Sequence, residues 1–174
     1  VKVVERAFTK SGGQVHVEHK VDAIVKADGK ATVTVSSKDG KTFEIVADKV
    51  LMAIGFEPNS GDLGLESLGV EMDDRKHILV ADELRTTVKG IFAIGDVIGP
   101  PYLAHKATKE GEIVAEVIAG HKAAVDWRAM PSAIFTEPEI ATVGMTETAA
   151  KAAGRNVKIG KFPFAASGRA MALR

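Results

Sequence analysis

Apolar positions along the chain change period several times, and each change marks an element. Val1, Val3, Val4, Ala7 and Phe8 fall at the spacing of one helical face, and Ser11-Gly12-Gly13 supplies the residues that end a helix. Alternation follows at Val15, Val17, Val21 and residues 23–25, again over residues 31–35, and again at Phe43, Ile45 and Val46. Asp28-Gly29 and Asp39-Gly40 separate these runs, and Asp-Gly between alternating segments is a strong short-range hairpin signal. The three runs predict a small antiparallel meander. Residues 48–55 and 91–95 break the alternation with continuous apolar runs, each ending in Ala-Ile-Gly. Such runs predict strands buried on both faces of an α/β sheet, with backbone near a ligand or another segment at the two glycines.

Between those two runs, Phe56-Glu57-Pro58-Asn59 turns the chain away, because the residue before proline avoids the helical region. Leu63, Leu65 and Leu68 predict one or two helical turns within residues 61–69, and residues 70–80 predict a hairpin or edge element. Leu103, Ala107, Gly111, Val114, Ala115 and Ile118 then recur at helical spacing, with Pro100-Pro101 before them and Gly120 closing the helix. Trp127 and Met130-Pro131 mark a domain boundary. Beyond it the pattern predicts a strand at 132–135, an alanine-rich helix capped by Thr146 and ended by Gly154, and a strand at 157–164.

Composition narrows the function classes. The 174 residues are 45% hydrophobic, and Lys+Arg and Asp+Glu both number 23. That balance gives no electrostatic ground to expect nucleic acid or an acidic membrane surface. No apolar run reaches the length of a membrane span and no signal-peptide pattern opens the chain, so a cytoplasmic protein is expected. The absence of cysteine removes disulfides, thiolate ligands and cysteine nucleophiles from these residues. The chain opens at Val1 without methionine and stops at Arg174, and both ends read as cuts through a longer protein.

Candidate chemistry gathers around Asp96. A carboxylate just past a strand's carboxyl end lies where open α/β sheets bind ligands, and Gly95 lets a ligand approach the backbone. On those residues alone, a strand followed by a helix-capping Asp accounts for the pattern. The helix predicted from Leu103 presents free N–H groups and a partial positive charge near Tyr102 to His105, which suits an electron-rich group. His105 alone reads as structural, with no serine or carboxylate placed to work with it. His16 and His19, three apart on a strand, would point to opposite faces and read as exposed or edge histidines rather than metal ligands. Glu137 and Glu139 lack the contrasting environments that an acid–base pair needs. No catalytic residue and no metal ligand emerges.

The motifs, taken together, resemble a family. Residues 86–96 resemble the second flavin-binding signature of the flavoprotein disulfide reductases, the pyridine nucleotide-disulfide oxidoreductases. Ala53-Ile54-Gly55 with Pro58-Asn59, Leu103-Ala104-His105-Lys106-Ala107, and Thr136-Glu137-Pro138-Glu139 with Val143-Gly144 match the same family in the same order. The combination is most similar to dihydrolipoyl dehydrogenases; glutathione, mercuric and similar reductases are the alternatives within the family. Phe56 stands where arginine is common.

The resemblance implies a mixed α/β fold: partial Rossmann-like FAD- and NAD(P)-binding domains with a β-meander, plus the start of an α+β interface domain. It implies residues 1–57 as the C-terminal part of the NAD domain, 58–128 as the second segment of the FAD domain, and 129–174 as the start of the dimerisation domain. Asp96 would hydrogen-bond the ribityl chain of FAD. Tyr102, Leu103, Ala104 and His105 would set the helix N-terminus against the flavin pyrimidine edge, and Gly55 and Val21 would line the NAD site. The implied partners are dihydrolipoamide, carried on the lipoyl domain of 2-oxoacid dehydrogenase complexes, and a second subunit. The family also needs two glycine-rich dinucleotide loops, a cysteine pair and a C-terminal His-Glu pair. The chain has no G-x-G-x-x-G and no cysteine. It is therefore expected to be an internal segment, inactive alone, whose uncovered sheet edges and apolar faces invite association.

Overall fold

The computed structural model describes residues 2–172. They form α1 (Lys2–Lys10), β1 (His19–Ala27), β2 (Lys30–Ser37), β3 (Thr42–Ala47), α2 (Leu65–Leu68), α3 (Ala104–Ile118), β4 (Ser132–Ile134), β5 (Ile140–Thr142), α4 (Glu147–Ala152) and α5 (Gly168–Ala172). Two short 3-10 turns, Gly95–Ile98 and Phe164–Ala166, complete the set. The mixed α/β class expected from the sequence holds, and the sheets this chain builds by itself are antiparallel. The chain divides into two compact units, one running up to Val125 and including Ile134–Ile140, the other comprising Asp126–Ala133 and the chain from Ala141 onward.

The meander forms as the alternation dictates. β1, β2 and β3 lie in sequence order, turning at Asp28-Gly29 and around Asp39-Gly40. The central strand buries Val33 and Val35, while every residue of β1 is exposed. α1 ends ahead of Gly12, whose φ of 94° is the left-handed conformation glycine tolerates. α2 is a single turn, and Glu71–Leu79 is a hairpin held by Leu79 N–H donating to Glu71 O and Asp73 N–H donating to His77 O.

Three expected strands are absent. Residues 48–55 run without ladder partners, with Leu51 and Ile54 about nine-tenths exposed. Residues 91–94 carry one isolated bridge, Arg85 to Phe92, before the chain turns into the Gly95–Ile98 3-10 turn. Residues 157–163 are irregular, and Phe164 enters the second 3-10 turn. A strand requires a ladder of neighbours for its N–H and C=O groups; residues 91–93 meet only the short 84–86 segment, and the other two runs carry no ladder pairing. His16 and His19 are exposed, as expected, but they do not point to opposite faces. His16 precedes a turn at Val17-Glu18, so its ring comes within 5.6 Å of His19, centroid to centroid, and both rings meet Phe43.

Two small apolar clusters frame the part of the first unit that matters for function. Val70, Ile78 and Ala93 form one; Leu84 with Ile113 and Val117 of α3 forms the other. In the second unit, Thr146 caps α4 as expected, its hydroxyl accepting from Ala149 N–H at 3.1 Å.

Candidate functional site: a corner between a 3-10 turn and a helix mouth

The Asp96 segment folds in two halves. Arg85 to Phe92 is a hairpin: Thr86 N–H and its hydroxyl both donate to Ile91 O, at 3.0 Å each, and Gly90 takes φ 88° at the reversal. Gly95 to Gly99 is the 3-10 turn, closed by Gly99 N–H donating to Asp96 O at 3.1 Å. Asp96 is the first acidic residue of that turn, and it is exposed.

The turn is fastened to α3 by glycine and by charge. Gly95 adopts φ 77°, and a Cβ placed there would stand 3.3 Å from Ala107 Cβ. Only glycine lets the turn lie this close. Glu110 reaches back from the next helical turn, its Oε2 accepting from Gly95 N–H at 2.7 Å. Lys106 Nζ donates to Gly95 O at 3.2 Å and Gly99 O at 3.3 Å, so one ammonium spans both ends of the turn. The same Nζ stands 3.1 Å from Glu110 Oε1, an ion pair whose angle falls short of a directed hydrogen bond. Lys106 and Glu110 are 3% and 0% exposed, the most deeply placed charges on α3.

The mouth of α3 is chemically open. Leu103, at the cap position, is extended and provides no side-chain hydrogen bond, and the first turn carries no acid. Ala107 N–H donates to Leu103 O as the first helical bond, and the positive end of the helix dipole lies at this mouth. Tyr102 leads into this mouth. Its hydroxyl lies 2.9 Å from His77 Nε2, and His77 Nδ1 lies 2.9 Å from Asp73 Oδ2. The carboxylate can only accept, so Nδ1 carries a proton; in the neutral imidazole Nε2 is then the acceptor for the tyrosine hydroxyl. His77 is buried, packs against Gly99, and donates its backbone N–H to Asp73 Oδ1 at 2.8 Å. The His77 side chain, and after it the His77 backbone N–H, hold the Asp73 carboxyl below its ordinary value of 3.8. Ile78 N–H donates to Val97 O, so the hairpin, the turn and the helix lead-in are one connected corner.

Asp96, Tyr102, Leu103, Ala104 and His105 thus gather at a single corner, with Leu103 half-buried and Ala104 and His105 exposed. Val21 and Gly55 belong to other elements. Val21 faces Val35 on β1 at a register shift, and Gly55, φ 128°, lies in the exposed 48–58 run with nothing within 4 Å of a Cβ. An open cleft of about 550 Å³, lined by Ile54, Phe56, Pro58 and residues 74–76, adjoins the corner where Phe56 meets the Tyr102 ring edge-on at 5.7 Å. Sequence reasoning missed Lys106, Glu110, His77 and Asp73. The buried stripe of α3 is Lys106, Glu110, Ile113 and Val117, while Ala115 and Ile118 of the expected apolar face are exposed. The signal lay in the stripe itself, since Lys106 and Glu110 continue the helical spacing of Ile113 and Val117.

A flavin asks for an acceptor opposite its ribityl hydroxyls and for donors at its pyrimidine edge. The exposed Asp96 carboxylate and the uncapped α3 mouth provide both. The corner fits that group.

Comparison with known proteins agrees with this geometry. Residues 1–111 match the model of the pyridine nucleotide-disulphide oxidoreductases, and residues 130–174 match the dimerisation domain of the same family. Dihydrolipoyl dehydrogenase of Halobacterium salinarum is 46% identical over 97% of this chain and 35% of its own length. That of Thermus scotoductus is 46% identical over 98% of this chain and 37% of its own. The crystal structure of LpdA from Mycobacterium tuberculosis superposes with a TM-score of 0.86 at 28% identity, over 99% of this chain and 37% of that one. The HOCl-induced flavoprotein disulfide reductase RclA of Escherichia coli follows, with a TM-score of 0.82 at 25% identity over 97% of this chain and 38% of that one. The chain spans about a third of the length of these relatives. With the corner at Asp96 and the match over residues 1–111 both in hand, the chain belongs to the pyridine nucleotide-disulphide oxidoreductase family.

Proposed function

We propose that this chain is a segment of an FAD- and NAD-dependent dihydrolipoyl dehydrogenase, which oxidises dihydrolipoamide to lipoamide and reduces NAD+ to NADH. The observation that carries the reading is the corner itself: an exposed Asp96 fastened to the uncapped mouth of α3. Dihydrolipoyl dehydrogenases at 46% identity over nearly the whole chain support the choice among family members. Residues 1–57 then complete an NAD domain, 58–128 an FAD domain, and 129–174 open the dimerisation domain of a cytoplasmic homodimer.

In this assignment Asp96 accepts a hydrogen bond from a ribityl hydroxyl, and Tyr102 to His105 set the N-terminus of α3 against the pyrimidine edge. When bound, the flavin supplies the two-electron chemistry between disulfide and nicotinamide. The chain's own contribution is orientation and field: the α3 dipole favours negative charge at its mouth, and Tyr102, tied to His77, fixes the lead-in. Gly55 and Val21 face NAD from the first domain. The redox disulfide comes from outside these residues, which contain no cysteine. The isolated chain is therefore a cofactor platform without activity.

The complete polypeptide should purify yellow, with the absorbance of bound FAD, and reduce NAD+ with dihydrolipoamide but not with reduced glutathione. Asp96→Ala should weaken FAD binding. A colourless protein refutes the flavin assignment, whereas a flavoprotein that turns over glutathione or mercuric ion instead moves it to another member of the family.

A further inference from the structure

The Lys106–Glu110 pair is the least expected feature of the corner. Two charges are taken almost wholly out of water on the buried face of a helix, side chains 4% and 1% exposed. Stability does not account for them. Desolvating a carboxylate and an ammonium costs about as much as their attraction returns, and well-packed apolar residues of similar volume are often as stable or more so. Nor are the charges spent on each other alone. Glu110 holds the Gly95 N–H at 2.7 Å, and Lys106 holds the Gly95 and Gly99 carbonyls at 3.2 and 3.3 Å. Every one of these contacts ends on the backbone of the turn that displays Asp96. Charge-assisted hydrogen bonds are the strongest and most directional that side chains make.

We propose that the Lys106–Glu110 pair is a positioning device that locks the Asp96 turn onto α3, so that the carboxylate for the ribityl chain and the donors for the pyrimidine edge keep a fixed separation. The inference rests on the flavin reading given above. Lys106 and Glu110 touch no cofactor atom in this assignment. They act through Gly95 and Gly99, which makes them positioning residues. The turn is only four residues long, and Gly95 at its start tolerates more than one backbone conformation unless something outside restrains it.

The test uses the complete polypeptide with Lys106→Met, Glu110→Gln and the double variant Lys106→Met/Glu110→Gln. Each single change leaves one charge buried without its partner and lowers the thermal midpoint of the flavin-free protein. The double change removes both charges, keeps an acceptor for Gly95 N–H, and restores most of the midpoint. If the pair positions the turn, the double variant still binds FAD about tenfold more weakly or worse, which corresponds to about 1.4 kcal/mol. Its Gly99 amide also exchanges with solvent faster than in the wild type before any FAD is added. A double variant with wild-type FAD affinity and wild-type Gly99 exchange overturns the inference and leaves the flavin reading standing. Wild-type protein that binds no FAD overturns both.

Discussion

Gly95→Ala isolates how closely the turn lies against the helix. Gly95 has φ 77°, and an alanine Cβ there meets Ala107 Cβ at 3.3 Å. Gly29, in the first hairpin of the same unit, has φ 76° and nothing within 4 Å, so it carries the same conformational cost without the contact. An L-residue held in the left-handed region costs about 1–2 kcal/mol, and forcing a methyl into packed space adds about 1–3 kcal/mol. Gly29→Ala should therefore cost about 1–2 kcal/mol and Gly95→Ala about 2–5 kcal/mol. Both substitutions restrict the unfolded chain equally, so that contribution cancels in their difference. Placing Gly95→Ala in an Ala107→Gly background removes the opposing methyl, and its cost there should fall to the Gly29→Ala value. Urea unfolding at constant m, followed through the near-ultraviolet dichroism of the chain's one tyrosine, Tyr102, measures the wild type and the four variants. If Gly95→Ala is no worse than Gly29→Ala within about 0.5 kcal/mol, the close approach of turn and helix is wrong.

Further outcomes follow from the rest of the corner and from the uncovered run. Tyr102→Phe leaves buried His77 Nε2 without its donor and should cost about 1–3 kcal/mol by the same urea measurement. Asp73 has a depressed pKa in the folded protein, so its contribution to stability is complete above 3.8 and is lost as pH falls through the lower folded value. The stability gap between wild type and Asp73→Asn should accordingly hold above pH 3.8 and close below it; a gap that widens on acidification contradicts the sign. Leu51, Ile54 and Phe56 are 89%, 91% and 77% exposed in a run without ladder partners, so the isolated chain should self-associate. Light scattering should register a smaller species for Ile54→Lys, and a monomeric wild type would contradict the expectation.

The elements read correctly from the sequence are those whose partners lie nearby in the chain. The meander follows from alternation and two Asp-Gly turns, α3 from its length and Gly120, and the α4 cap from Thr146, because each depends on neighbours a few residues away. The runs at 48–55 and 91–94 have the composition of buried strands, but periodicity carries no information about which strand lies alongside. The Asp96 corner was legible through motif order and through the helix mouth that follows it. Its fastening was not. Lys106 and Glu110 are four apart on a helix, a spacing that ordinarily describes a solvated surface pair, and only the placement of Ile113 and Val117 on the same stripe shows that the pair faces inward. His77 and Tyr102 are 25 residues apart, and no local pattern joins them.

The meander has a consequence for how the chain acquires structure. Its three strands pair only with their sequence neighbours, across gaps of two residues between Ala27 and Lys30 and four between Ser37 and Thr42. Short closures carry little entropic penalty, and low contact order goes with rapid folding. On an elongating ribosome this sheet can assemble once Ala47 has left the exit tunnel, without waiting for the Asp96 corner to emerge.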